Sequence, residues 1–322
     1  MIKILENVQE DPQEMRKSYC EALIAAAGEN EKLIVLDCDL SSSVGTKKFY
    51  EIYPERAINC GIEEENACGV AAGLSVTGFV PFLHSFAVFT TRRMCDQVFL
   101  SCAYAGQNVK LIGGDAGVSA GFNGGTHMAF EDIGIMRSIP EVSIIEPTDG
   151  IMMRNLIPKI AARYGVDYIR MPRKTVQKVY EDGSDFTIGE AVLAREGRDV
   201  SIIASGIMVA EALQAAKELE KDGVSAEVID MFTIKPLDKA AVICSAGKTG
   251  AVVTAENHNI IGGLGSAVAE VLGENKPVPV ERVGIMDQFG VVGTQEYLMR
   301  HFGITSRQIV EKAKKAIARK LN

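Results

Sequence analysis

The chain has 322 residues, enough for two domains of ordinary size, and its 47% apolar and 24% charged content is that of a globular protein. A formal net charge of −8 with no basic stripe argues against nucleic acid as a partner. No apolar run approaches ~18 residues and the first residues lack a hydrophobic signal core, so no membrane span or leader is expected.

Seven cysteines (Cys20, Cys38, Cys60, Cys68, Cys95, Cys102 and Cys244) are an odd number without a C-x-x-C pair. They read as reduced core thiols of a cytoplasmic protein, not as a disulfide frame or a zinc site.

Asp11-Pro12 opens a helix to about Gly28, with Met15, Tyr19, Leu23 and Ala26 on one face. Residues 32–38 form a buried strand running into the polar loop Asp39-Leu40-Ser41-Ser42-Ser43. In parallel α/β sheets ligands collect at that carboxyl edge. A helix at 48–52 leads to a strand at 56–62. Three carboxylates, Glu63, Glu64 and Glu65, then start a helix to about Thr77. Taken singly, each reads as an acid complementing the helix N-terminus.

A strand and turn follow at 80–89, a helix at 91–104 and a strand at 109–113. The loop 115–127 holds four glycines in thirteen residues, and a loop this long in a compact domain is usually functional. A short helix (131–137), a strand (142–145), a helix capped by Asp149 and a strand (166–174) complete the first half. The polar stretch 175–185 reads as a linker.

Beyond it, strands at 200–204, 225–230, 251–255 and 278–283 alternate with helices at 208–222, 238–246 and from Gly262-Gly263-Leu264-Gly265 to about Leu272. The basic run Lys312 to Lys320 reads as the solvated face of a terminal helix. The fold class is α/β: two domains, 1–180 and 186–322, each a mostly parallel sheet flanked by helices.

Four stretches together resemble the pyrimidine-binding domain of the transketolase family: Asp39 to Ser43, Gly61-Ile62-Glu63-Glu64, Ser85 to Phe89, and Asn123-Gly124-Gly125-Thr126-His127. The second half, with Met231 to Asp238, is similar to that family's C-terminal domain. Each motif is short, but four in the right order are specific, and together they cover nearly the whole chain.

The resemblance implies thiamine diphosphate as cofactor and two-carbon transfer from a ketose phosphate to an aldose phosphate. It implies a carboxyl group beside the cofactor's pyrimidine ring, in an apolar, partly desolvated pocket, and the motif places that role on Glu64. Asp39 and Leu40 would hold the cofactor, and Phe86 and Phe89 would pack on its ring. His127 would reach the substrate, with Ser43, Asn123 and Arg173 also as substrate contacts. His84 is a weaker pocket candidate.

Two departures bear on the substrate. The family often carries Asp where Asn123 stands, and commonly His or Arg where Asp115 stands, an aspartate that would repel a phosphate dianion. A third departure is that the family's diphosphate and Mg2+ motif is missing from this sequence. The chain therefore looks like the C-terminal half of a split transketolase. An N-terminal partner subunit would supply the metal ligands in a two-plus-two assembly, with self-association through the pyrimidine domain. Alternative readings are a beta subunit of a 2-oxo-acid decarboxylating enzyme, a deoxyxylulose-phosphate-synthase-like enzyme, or a non-catalytic α/β ligand-binding homodimer.

Overall fold

A computed structural model describes residues 2–320. Fourteen strands form among these residues: β1 (Ile4–Glu10), β2 (Leu33–Asp37), β3 (Ala57–Asn59), β4 (Val80–Phe86), β5 (Lys110–Gly114), β6 (Ser143–Ile145), β7 (Asp167–Met171), β8 (Gln177–Tyr180), β9 (Val192–Arg195), β10 (Val200–Ala204), β11 (Ala226–Asp230), β12 (Thr233–Lys235), β13 (Val252–Asn259) and β14 (Val280–Ile285). They make a seven-stranded sheet in the order β12-β6-β7-β5-β4-β2-β3, a five-stranded sheet in the order β14-β13-β10-β11-β9, and a β1–β8 ribbon. Pairing is parallel within the two larger sheets except at β12 and β9, each antiparallel at an edge.

Strands β2, β5 and β7 are buried at every position, because helices cover both faces of the sheet. On one face the helix Met15–Glu29 lays Met15, Tyr19, Leu23 and Ala26 against Ile157 and Ile160 of the helix Gly150–Ala162. The α/β class, with mostly parallel sheets flanked by helices, is that read from the sequence.

Several local readings change. The stretch expected to be a linker contains β8, because it pairs antiparallel with β1, and the Val179 and Tyr180 amides donate to Asp149 Oδ2 at 2.8 Å. Strands β1, β9 and β12 have no counterpart in the sequence reading. Strand β12 pairs with β6, so residues well beyond position 186 complete the first sheet. The helix expected at 91–104 is instead two wide π turns, Phe89–Arg93 and Val98–Tyr104, around a short α segment. The Thr90 and Thr91 hydroxyls donate to the carbonyls of Phe86 (3.1 Å) and Ala87 (2.7 Å), which loosens the first turn.

The two large sheets are joined by a buried guanidinium. Arg170, on β7 and fully enclosed, donates to Asp132 Oδ2 (2.7 Å), Glu146 Oε1 (2.5 Å) and the carbonyls of Ala129 (3.0 Å) and Asn257 (2.7 Å). Asn257 belongs to β13, and Glu146 also accepts from Ser205 Oγ at 2.6 Å, just past β10. One side chain thus ties both sheets together. Replacing it strands two buried carboxylates, so Arg170→Met is expected to cost about 3–5 kcal/mol of unfolding free energy. Urea titration checks this, and a loss below about 0.5 kcal/mol, the size of an ordinary surface change, contradicts it.

Candidate cofactor and substrate site

The parallel register aligns the strand ends that carry the site. Asp37 pairs with His84, Phe86 with Gly114, and Gly114 with Met171. The residues just past β2, at the end of β4, and just past β5 and β7 therefore share one edge: Leu40, Phe86, Asp115 and Arg173.

Glu64 is the first residue of the helix Glu64–Val76 and only 1% exposed. Its burial is offset by the helix N-terminus, by the Ser85 hydroxyl donating to Oε1 (3.1 Å) and by Arg93 donating to Oε2 (2.7 Å). The Arg93 guanidinium in turn lies 4.2 Å from the centre of the Phe89 ring. Glu63 and Glu65 remain exposed, so of the three adjacent acids only Glu64 faces inward.

Three rings meet beside it. Phe86 and Phe89 lie 6.3 Å apart, and His127 sits edge-on to both, at 5.6 and 5.4 Å. Leu40 packs on the same cluster with Ala87, Val88, Ala116 and Ala129. The His127 Nδ1 lies 2.9 Å from the Thr126 hydroxyl.

A second group adjoins the first. Arg173 has its guanidinium 5.5 Å from the Phe86 ring centre and makes a bidentate ion pair with Asp115. Together with Asn123 and Lys174 they line a cleft of about 200 Å³. Burial pushes the Asp115 carboxyl up and the Arg173 charge pulls it down, with burial the larger effect.

Of the residues singled out in sequence, Leu40, Phe86, Phe89 and His127 gather in one cluster that Arg93 links to Glu64, and Asn123 and Arg173 line the adjoining cleft. Two others stand apart. The Asp39 carboxylate accepts from Asn59 Nδ2 at 3.1 Å, and Ser43 lies in the short helix Ser41–Val44 with its carbonyl accepting from Arg16. His84 is a core residue: fully buried, 2.6 Å from the Tyr19 hydroxyl and 2.9 Å from the Leu36 carbonyl. Its pocket reading is corrected.

Asp115 is also corrected, since it is held by Arg173 and does not present a free charge. Sequence reasoning missed Arg93, although a pair of arginines in a mostly apolar stretch is a visible signal. It also missed Asp37, buried beneath the loop with its carboxyl pushed up to about 6 by burial.

The first part of the chain, residues 11–178, matches the family model "Transketolase, pyrimidine binding domain", and residues 189–309 match "Transketolase, C-terminal domain". The chain belongs to the transketolase family.

It is 50% identical, over 95% of both chains, to a "6-deoxy-6-sulfo-D-fructose transketolase subunit" of Clostridium sp. (strain MSTE9). It is 36% identical, over 92% of this chain and 96% of the other, to a subunit of an "Apulose-4-phosphate transketolase" of Phocaeicola vulgatus. A solved structure titled "Split gene transketolase, inactive beta4 tetramer" superposes with a TM-score of 0.87 at 43% identity, covering 95% of this chain and 99% of that one. Against Mus musculus transketolase, at 35% identity, 93% of this chain spans 48% of the other.

Membership implies thiamine diphosphate dependence, and the residues present fit its aminopyrimidine ring: a buried carboxyl to meet ring nitrogen and flat apolar walls to enclose it. Among the described residues, no group of three or more His, Cys, Asp or Glu could hold a metal ion, and no helix is long and apolar enough to cross a membrane.

Burial holds the His84 ring neutral down to a pKa of about 4, against 6.5 for a free imidazole. Between those values the unfolded chain binds the extra proton, so this contribution to stability is present above pH 6.5 and is lost as the pH falls toward 4. A His84→Gln variant is expected to lose less stability than the wild type over that acid window. Urea midpoints at several pH values check this, and parallel curves for the two proteins contradict it.

Proposed function

We propose that this chain is the pyrimidine-side subunit of a two-chain transketolase that moves a two-carbon unit from a ketose to an aldose phosphate. The observation that carries the reading is the Glu64 carboxyl, 1% exposed, beside Ser85 and the Phe86–Phe89 pair. Bound thiamine diphosphate would supply the nucleophilic carbon. Glu64 would hold the proton at the pyrimidine nitrogen facing it, and its low-dielectric setting makes that contact far stronger than in water. Arg93 fits the same carboxylate as a counter-charge in the free protein.

Phe86 and Phe89 would wall the ring and exclude water, with Leu40 extending the apolar surface and Asp39 bracing the neighbouring loop through Asn59. His127 would hydrogen-bond the substrate's hydroxyls and carbonyl, and Asn123 and Arg173 would fix its far end.

The diphosphate and Mg2+ would be held by an N-terminal partner subunit. Two similar proteins are named as subunits, and the split-gene structure is titled an inactive beta4 tetramer; carried to this chain, these support partner dependence and self-association. The helix Glu64–Val76 exposes Val70 and Val76, and the π turn packed on it exposes Leu100 and Tyr104, a suitable apolar face for the second role. The free thiols fit a cytoplasmic location.

The test is two-carbon transfer to ribose 5-phosphate from xylulose 5-phosphate or uncharged erythrulose, with thiamine diphosphate and Mg2+. Activity is expected only when both chains are present and should fall at least ~100-fold in Glu64→Gln. Near-wild-type turnover in that variant, or no transfer from either donor, contradicts the reading.

A further inference from the structure

His127 sits on a loop that the second half of the chain holds in place. Residues 286–293 run from the end of β14 toward the helix Gln295–His301. Within this segment Gly290 crosses Gly125, two residues before His127. A methyl group at Gly125 would run into the Gly290 carbonyl, and one at Gly290 would lie 2.8 Å from the Gly125 Cα, closer than carbon atoms pack. Neither glycine has a left-handed φ, so the close approach of two backbones, and not a turn, requires them.

The contact extends to both sides of the crossing. Val292 bears on Gly124, where an added methyl would lie 3.0 Å from Cγ2, and the Gly124 carbonyl accepts from the His127 amide at 3.0 Å. The segment is itself fixed at both ends. Asn259 Nδ2 donates to Asp287 Oδ1 at 3.3 Å, and the Thr294 hydroxyl accepts from the Tyr297 amide at 3.2 Å. Beyond that helix, Phe302 stacks edge-on to Phe130, with ring centres 5.3 Å apart. Gly290 and Gly125 together line a cavity of about 500 Å³, and Gly293 lines the Arg173 cleft with Asn123. The segment therefore lies against the loop between two openings.

We propose that Gly290 is a positioning residue for the transfer reaction: its backbone sets where Gly124 and Gly125 lie, and through them the place of His127 against the Phe86 and Phe89 rings. The inference rests on the two-chain transfer reading above, in which His127 contacts the ketose. Glu64, Phe86 and Phe89 stand on other elements, the helix Glu64–Val76, β4 and the first π turn. A shift at the crossing thus moves the substrate contact and leaves the buried carboxylate in place. Misplacing such a contact by about 1 Å can cost on the order of 100-fold in rate.

The experiment compares the wild type, Gly290→Ala and Val292→Ala in the co-purified two-chain enzyme with thiamine diphosphate and Mg2+. Xylulose 5-phosphate is the donor and ribose 5-phosphate the acceptor. Val292→Ala is run in parallel in case Gly290→Ala folds poorly, because Val292 is 62% exposed and trimming it adds no bulk. The donor kcat/KM is expected to fall at least ~10-fold in Gly290→Ala and about threefold in Val292→Ala. Calorimetric affinity for thiamine diphosphate, and deuterium exchange at its C2 position without substrate, should stay within about twofold of the wild type. Donor kcat/KM unchanged in both variants, or cofactor affinity and C2 exchange falling in step with it, overturns the proposal while leaving the transfer reading intact. No transfer by the wild type from this donor or from erythrulose overturns both.

Discussion

A carboxylate almost fully removed from water is the constraint around which this site is built. Burying the Glu64 charge is costly unless it is paired and hydrogen-bonded, and three separate elements meet that need. The helix it begins supplies its N-terminal dipole, β4 supplies the Ser85 hydroxyl, and the π turn supplies Arg93. That turn is wide because Thr90 and Thr91 bond back to the end of β4, and it carries Phe89 to its place beside Phe86 and His127. The aromatic pocket and the carboxylate thus arise from one local arrangement.

The second requirement is a fixed edge. Parallel register sets Leu40, Phe86, Asp115 and Arg173 side by side, and the Arg170 cluster prevents the five-stranded sheet from shifting against that edge. Strand β12 has the same effect from the opposite end, because the chain returns to complete the first sheet before continuing to the helix Lys239–Thr249. Asn257 of β13 also accepts from the Val118 amide at 3.0 Å, so the glycine-rich loop is anchored by the far sheet.

The alternation of strands and helices was legible because buried parallel strands read as near-continuous apolar runs, and Leu33-Ile34-Val35-Leu36 of β2 is of that kind. The short strands β9 and β12 were not, since pairing at a sheet edge leaves almost no periodic signal in three or four residues. The π turns were hidden because the apolar spacing of residues 91–104 suits an ordinary helix equally well.

At the site, motif order pointed to Glu64, and the structure adds that it alone of three adjacent acids turns inward. Charge pairing is where sequence reading stopped. Asp115 and Arg173 lie 58 positions apart, and only the sheet register makes them neighbours. The same limit explains His84, whose polar side chain is satisfied by Tyr19 and Leu36 from elements distant in sequence.

The central claim is that this chain carries one half of a cofactor site. The most direct measurement is calorimetric titration of thiamine diphosphate, with Mg2+, into this chain alone, the partner subunit alone and their equimolar mixture. The account predicts tight binding only in the mixture, weakened when Glu64 is replaced by glutamine. Binding by this chain alone as tight as by the mixture would contradict it.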